Sequence, residues 1–238
     1  MTSALSPEQI QARIEKANAA HSAIPADKLV RGLVRLFDFS AADEPDEFTF
    51  PAFSRASRDR IFGGQIIAQA MMAAARTVDP DKQVHSLHAY FLRGGSEALP
   101  LHFRVHRDFD GRAFSNRRVV VRQEGKVIFN LTASFQKPES GFSHQVPMPD
   151  LLPPDKCWDY SDAMARNPDI PDHMLERMAH PRPFELRSFR PAADAKATSH
   201  YQWFRLRAPI EGDQLLHRAL LSFASDMGLL SSANPIYT

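Results

Sequence analysis

At Pro80 the hydrophobic pattern of this chain changes period, and no other feature limits its possible folds as much. Before Pro80, residues 60–78 (RIFGGQIIAQAMMAAARTV) are rich in alanine, methionine and glutamine, all strong helix formers. The proline ends that run. After it the period is two. Residues 84–91 are apolar and aromatic. Leu99, Leu101, Phe103 and Val105 alternate with polar neighbours. Residues 113–123 carry Val119, Val120 and Val121. Val127, Phe129, Leu131, Ala133 and Phe135 then alternate again. Glu124-Gly125 marks a tight hairpin between the last two runs. One helix followed by four closely spaced strands predicts an antiparallel sheet wrapped around a single helix, an α+β layout. The strands are expected over roughly 84–92, 99–107, 113–123 and 126–136, and the helix from Gly64 to about Val78.

At helical spacing that helix has three faces. Ile66, Ile67, Ala70, Met71 and Ala74 form an apolar stripe, and Gly64, Ala68 and Ala75 a stripe of small residues. Gln65, Gln69 and Arg76 share a polar face. Gly64, Gln65 and Gln69 are therefore expected to border a cleft. The Gly63-Gly64 pair leaves N–H groups at the helix start where an anion or a polarised carbonyl could sit. An ordinary packed helix after a loop glycine pair accounts for the same residues.

Upstream, Ser6-Pro7-Glu8-Gln9 reads as a helix start with a capping box, and a second helix begins near Ala26. Phe48 and Phe50 alternate as in a strand. Downstream, ten of the eighteen prolines fall between Pro138 and Pro191, which reads as a long linker with short helical pieces such as 161–166 and 173–178. Strands return at 184–189 and 200–207, and Gly212-Asp213 leads into a helix over 214–230. Strand followed by helix thus occurs twice. The resulting blocks are 1–137, 138–183 and 184–238.

Composition narrows the function. A net charge of +1 gives no global field for nucleic acid or an anionic membrane, and no run approaches membrane-spanning length. The single Cys157 excludes an intramolecular disulfide and a cysteine-rich zinc site. His85 and His88, three apart on a strand, should point to opposite faces and so not chelate together. No metal or cofactor is expected. The polar N-terminus lacks the apolar core of a signal peptide, so the chain reads as cytoplasmic.

Five segments, RIFGGQIIAQAMMAA, VHSLHAYFLRGG, RDFDGRAFSNRRVVVRQ, IFNLTASFQKPESGF and HRALLSFASDMGLL, occur in one order over 60–230 and together resemble the acyl-CoA thioesterase II family. The resemblance implies a double hotdog fold, each antiparallel sheet wrapped around a central helix, with the second begun at 184–238. It implies hydrolysis of fatty acyl-CoA to free acid and coenzyme A by an Asp-positioned water. The Asp maps onto Asp226 in Ala224-Ser225-Asp226. The family's Thr/Ser and Gln partners fall beyond Thr238, and their missing strands would leave Leu220, Phe223 and Leu229 exposed. The His of VHS, His85, is a candidate lining residue, though the residues themselves favour a hydrogen-bonded core His. Arg112, Arg117, Arg118 and Arg122 cluster at one hairpin. Arg112 and Arg117 are the candidate contacts for coenzyme A phosphates, and a solvated sheet face is the bland equivalent. The implied partner is acyl-CoA, and an open sheet edge would favour a homo-oligomer. A non-catalytic acyl-CoA-binding module and a hotdog hydratase or dehydratase are the competing readings.

Overall fold

The computed structural model describes residues 5–21, 23–42, 44–51, 60–173, 175, 180–189 and 201–228. It divides into two compact units that do not follow chain order. One holds the described residues of Val34–His144 and Glu211–Leu229, the other those of Met1–Leu33 and Gln145–Ile210.

The first unit contains strands β1 (Ser40–Ala41), β2 (Glu47–Phe50), β3 (Gln83–Phe91), β4 (Leu101–Asp110), β5 (Phe114–Gln123) and β6 (Lys126–Gln136). They form one antiparallel sheet in the order β1-β2-β4-β5-β6-β3. Alternation decides the inner face. Leu101, Phe103, Val105, Val119, Val121, Phe129, Leu131, Ala133 and Phe135 are all buried. Arg104, Arg118, Arg122 and Thr132 between them point outward to water. Glu124 and Gly125 both have positive φ, 46° and 75°, as the two central residues of a primed hairpin turn require.

Helix α3 (Gly63–Ala75) lies against the inner face. Its other side is covered by the helix Gln214–Ser225, here α5, so α3 is buried on nearly every face. This alters the reading of its polar face. Ile66, Ile67 and Ala70 are buried as the pattern requires, but Gln65 and Gln69 are buried too. Gln69 Nε2 donates to the Leu36 carbonyl at 2.7 Å, within the one-turn helix Arg35–Phe37. Arg76 donates to the Phe39 carbonyl at 2.6 Å, its guanidinium lying 4.2 Å from the Phe39 ring centre. Gln69 and Arg76 thus meet backbone carbonyls, and Arg76 also borders a cleft at the far end of α3. Leu220 and Phe223 are also buried, because α5 packs on α3; Leu229 lies outside the described residues.

In the second unit α1 (Pro7–His21) opens with the capping box: the Ser6 N–H donates to Gln9 Oε1 at 2.8 Å and the Gln9 N–H to Ser6 Oγ at 3.2 Å. Here too are α2 (Ala26–Val34), β7 (Trp158–Asp159), α4 (Tyr160–Ala165), β8 (Phe184–Phe189) and β9 (Tyr201–Leu206), the strands pairing antiparallel as β7-β8-β9. The expected helical piece at 173–178 lies partly outside the described residues. Arg13 ties α1 to the proline-rich segment. Its Nε donates to the Ala165 carbonyl at 2.9 Å, one terminal nitrogen to Ile170 O at 2.6 Å, and the other to Asp172 Oδ1 at 2.7 Å. Arg13→Ala removes the donor to the Ala165, Asn167 and Ile170 carbonyls and is expected to lower stability by about 1–3 kcal/mol. A urea unfolding midpoint equal to wild type would show that the clamp carries no net stability.

Candidate active site

The site is built where the N-terminus of α3 meets the C-terminus of α5. Phe62 precedes α3 in an extended conformation and supplies no side-chain cap. The cap comes instead from a residue 162 positions away. Asp226, the C-cap of α5, accepts a hydrogen bond from the Gly64 N–H through Oδ2 at 3.0 Å. Its carboxylate therefore sits at the negative end of its own helix dipole and the positive end of the dipole of α3. Burial pushes its pKa above the ordinary carboxylate value, and the Gly64 hydrogen bond opposes that rise only in part.

Both glycines are required by close approach. A Cβ on Gly64 would lie 2.1 Å from the Phe223 carbonyl oxygen, so the α3 backbone meets the α5 backbone directly. A Cβ on Gly63 would lie 2.6 Å from Asp226 Oδ2 and 2.9 Å from the Phe91 ring. The Phe62 and Phe223 rings close one side, 5.0 Å apart. The small-residue stripe of α3 allows this crossing. Ala68 is fully buried, and Ser222 Oγ reaches Met71 Sδ at 3.5 Å one turn further on.

Of the residues proposed from sequence, the fold brings together Gly64 and Asp226, with Gln65 buried beside them in the first turn of α3. His85 goes elsewhere. A β-bulge between Val84 and Ser86 makes it the extra residue of β3. The register before and after the bulge keeps Val84 and Leu87 opposite the inner residues Phe135 and Ala133, so His85 is thrown to the outer face. There its Nε2 lies 2.9 Å from Ser134 Oγ. It shares that face with His88, contrary to simple alternation. Even so, no cluster of three or more metal-ligating side chains occurs among the described residues.

Arg117 is corrected as well. It is 1% exposed, and all five of its N–H groups have acceptors: Thr77 Oγ1, Thr77 O, Phe109 O, Asn116 O and Asp110 Oδ1. No donor is left for a phosphate. It braces the end of α3 against β5, because the inner face of a strand buries whatever side chain falls on it. Arg112, in the turn between β4 and β5, is exposed. Sequence reasoning missed Phe91 and Phe223, since nothing local distinguishes an aromatic residue beside a site from one in a core.

A cleft of about 530 Å³ lies at the opposite end of the α3–α5 pair. Its cations are already engaged: Lys82 Nζ by Gly111 O and Ser115 Oγ, and Arg218 by Val84 O and Gln83. Those two cations are thus held by the protein itself, whereas Asp226 keeps a half-buried carboxylate with one backbone partner. A half-buried carboxylate of raised pKa beside a helix N-terminus is suited to taking a proton from water while negative charge gathers nearby.

Comparison with known proteins bears on the family and the fold. Residues 54–136 match the acyl-CoA thioesterase N-terminal domain. Acyl-coenzyme A thioesterase 8 of Homo sapiens is 37% identical over 187 residues, covering 73% of this chain and 59% of the human protein. The chain thus spans about three fifths of that relative's length. The crystal structure of an acyl-CoA thioesterase II, TesB2, of Mycobacterium marinum is 32% identical with a TM-score of 0.65, covering 85% of this chain and 69% of that one. A protein of unknown function from Alicyclobacillus acidocaldarius with a hot dog fold, 20% identical and covering 80% of this chain and 68% of its own, superposes with a TM-score of 0.59 and speaks for the fold alone.

Proposed function

Because the chain belongs to the acyl-CoA thioesterase II family, with its α+β double hotdog fold, we propose that it hydrolyses fatty acyl-CoA thioesters to free fatty acid and coenzyme A. The observation that carries this reading is the 3.0 Å hydrogen bond between Asp226 and the Gly64 N–H. Asp226 takes a proton from water, and the water oxygen bonds to the thioester carbonyl carbon. Charge on the carbonyl oxygen is stabilised by the positive end of α3. The C–S bond then breaks, and coenzyme A leaves as the thiolate and takes up the proton. Arg112, exposed at the β4–β5 turn, is the arginine still able to meet coenzyme A phosphates.

On the same reading, residues 184–238 open the second hotdog. A cytoplasmic homo-oligomer is the accompanying proposal. Its support is the pair of outer strands, β1 and β3, that end the six-stranded sheet. No described helix is long and apolar enough to cross a membrane.

The test is thiol release from palmitoyl-CoA and from a shorter acyl-CoA, followed with a thiol reagent. Release well above the uncatalysed rate is expected. None above background for any chain length would remove the activity.

A further inference from the structure

Phe91 is the last residue of β3, where the sheet ends beside the start of α3. It pairs with Phe129 across the ladder, the two rings edge to face with centroids 5.1 Å apart. Phe129 is fully buried, whereas Phe91 is 54% exposed. One edge of the Phe91 ring is thus anchored in the core while much of its surface faces solvent. Its tip and the Asp226 Oδ2 oxygen converge on the same point, the position a Gly63 Cβ would occupy. Leu92, next in the chain, is also 48% exposed, so apolar surface continues beyond the ring. A half-exposed aromatic edge touching the environment of a carboxylate base is apolar surface left open to water, and it becomes favourable only when something apolar covers it.

Resting on the thioesterase reading above, we infer that Phe91 sets the acyl-chain preference of the site, its exposed ring packing on the first methylenes beyond the thioester carbonyl. The carbonyl carbon must approach the water held by Asp226, and its oxygen must face the N-terminus of α3. One of its two substituents then runs past Gly63 onto Phe91. The acyl methylenes suit that surface. The pantetheine arm carries amides that would lose hydrogen bonds against an aromatic face. The contact strengthens with each methylene covered, so it discriminates long chains from short ones and leaves the carbonyl chemistry unchanged.

The experiment uses non-hydrolysable ketone analogues of butyryl-, octanoyl- and palmitoyl-CoA, in which a methylene separates the sulfur from the carbonyl. Their binding is measured by calorimetry on the wild-type chain, on Phe91→Ala and on Phe91→Leu. Wild-type affinity should rise from the butyryl to the palmitoyl analogue. Phe91→Ala should lose about tenfold for the palmitoyl analogue and clearly less for the butyryl one, whose short chain covers less of the ring. Phe91→Leu, which keeps an apolar contact with Phe129 and so guards against misfolding, should fall between them. An equal loss at every chain length in both variants, or no loss for palmitoyl, overturns the inference while leaving hydrolysis intact. A wild-type protein with no chain-length preference, or with no binding at all, overturns it too. Thiol release judges the thioesterase reading separately.

Discussion

Asp226→Asn is expected to lower acyl-CoA hydrolysis by about two to four powers of ten while the chain remains folded. Asparagine has the shape of aspartate, and its side-chain oxygen can still accept the Gly64 N–H that Asp226 Oδ2 accepts at 3.0 Å. It cannot take a proton from water. The substitution therefore separates the capping of α3 from the chemistry. The pH dependence follows from the same group. Burial, countered in part by the Gly64 bond, holds the Asp226 pKa above the ordinary carboxylate value. A general base acts when deprotonated, so the rate should fall as pH drops through that raised value, at higher pH than an exposed aspartate would give. Stability runs the other way. A carboxyl group whose folded pKa is raised favours the protonated native state, so its contribution is present below the unfolded pKa and is lost as pH rises through the folded one. Near neutral pH Asp226→Asn should thus be neutral to slightly stabilising in urea unfolding, even as thiol release collapses. Retention of wild-type turnover would take Asp226 out of the mechanism.

The architecture was legible where one physical rule acts locally. The period change at Pro80 places α3 before the strands, and β3 to β6 fall within a few residues of their expected bounds. Glu124-Gly125 and the Ser6–Gln9 capping box are short-range devices, and both form as the residues require. The site was legible only where residue type already limits the outcome. Gly64 belongs at a close approach, and Asp226 was reached through the family resemblance. Their pairing spans 162 positions and depends on how two helices cross, which periodicity does not encode. The remaining misreadings share this cause. Helical spacing gave Gln69 and Arg76 a polar face but could not show that the backbone carbonyls of Leu36, Phe37 and Phe39 lay opposite. Alternation correctly set Arg117 apart from Arg118 and Arg122, yet burial of a guanidinium depends on five acceptors drawn from three parts of the chain. One bulge residue moved His85 across the sheet.

Gly64→Ala should damage both stability and catalysis, and the reason is a backbone atom. Its Cβ would stand 2.1 Å from the Phe223 carbonyl oxygen and 2.5 Å from the Phe62 ring. A ring can rotate, but the carbonyl belongs to α5 and moves only with that helix. Restoring van der Waals distance requires the two helices to part by on the order of 1 Å. Alanine regains roughly 0.5–1 kcal/mol of helix propensity, while overpacking of this kind costs about 1–3 kcal/mol or more, so the net effect is destabilising. Parting the helices also stretches the Gly64–Asp226 hydrogen bond and shifts the base away from the N-terminus of α3. A misplacement of about 1 Å costs on the order of a hundredfold in rate. Gly63→Ala supplies the contrast. Its Cβ would meet the Asp226 carboxylate and the Phe91 ring, both side-chain ends able to swing aside. That variant should unfold close to the wild-type urea midpoint yet hydrolyse acyl-CoA poorly, because the group displaced is the base itself. If Gly64→Ala instead unfolds with the wild-type midpoint and turns over at the wild-type rate, α3 and α5 do not cross as closely as described, and Asp226 is not held where its chemistry needs it.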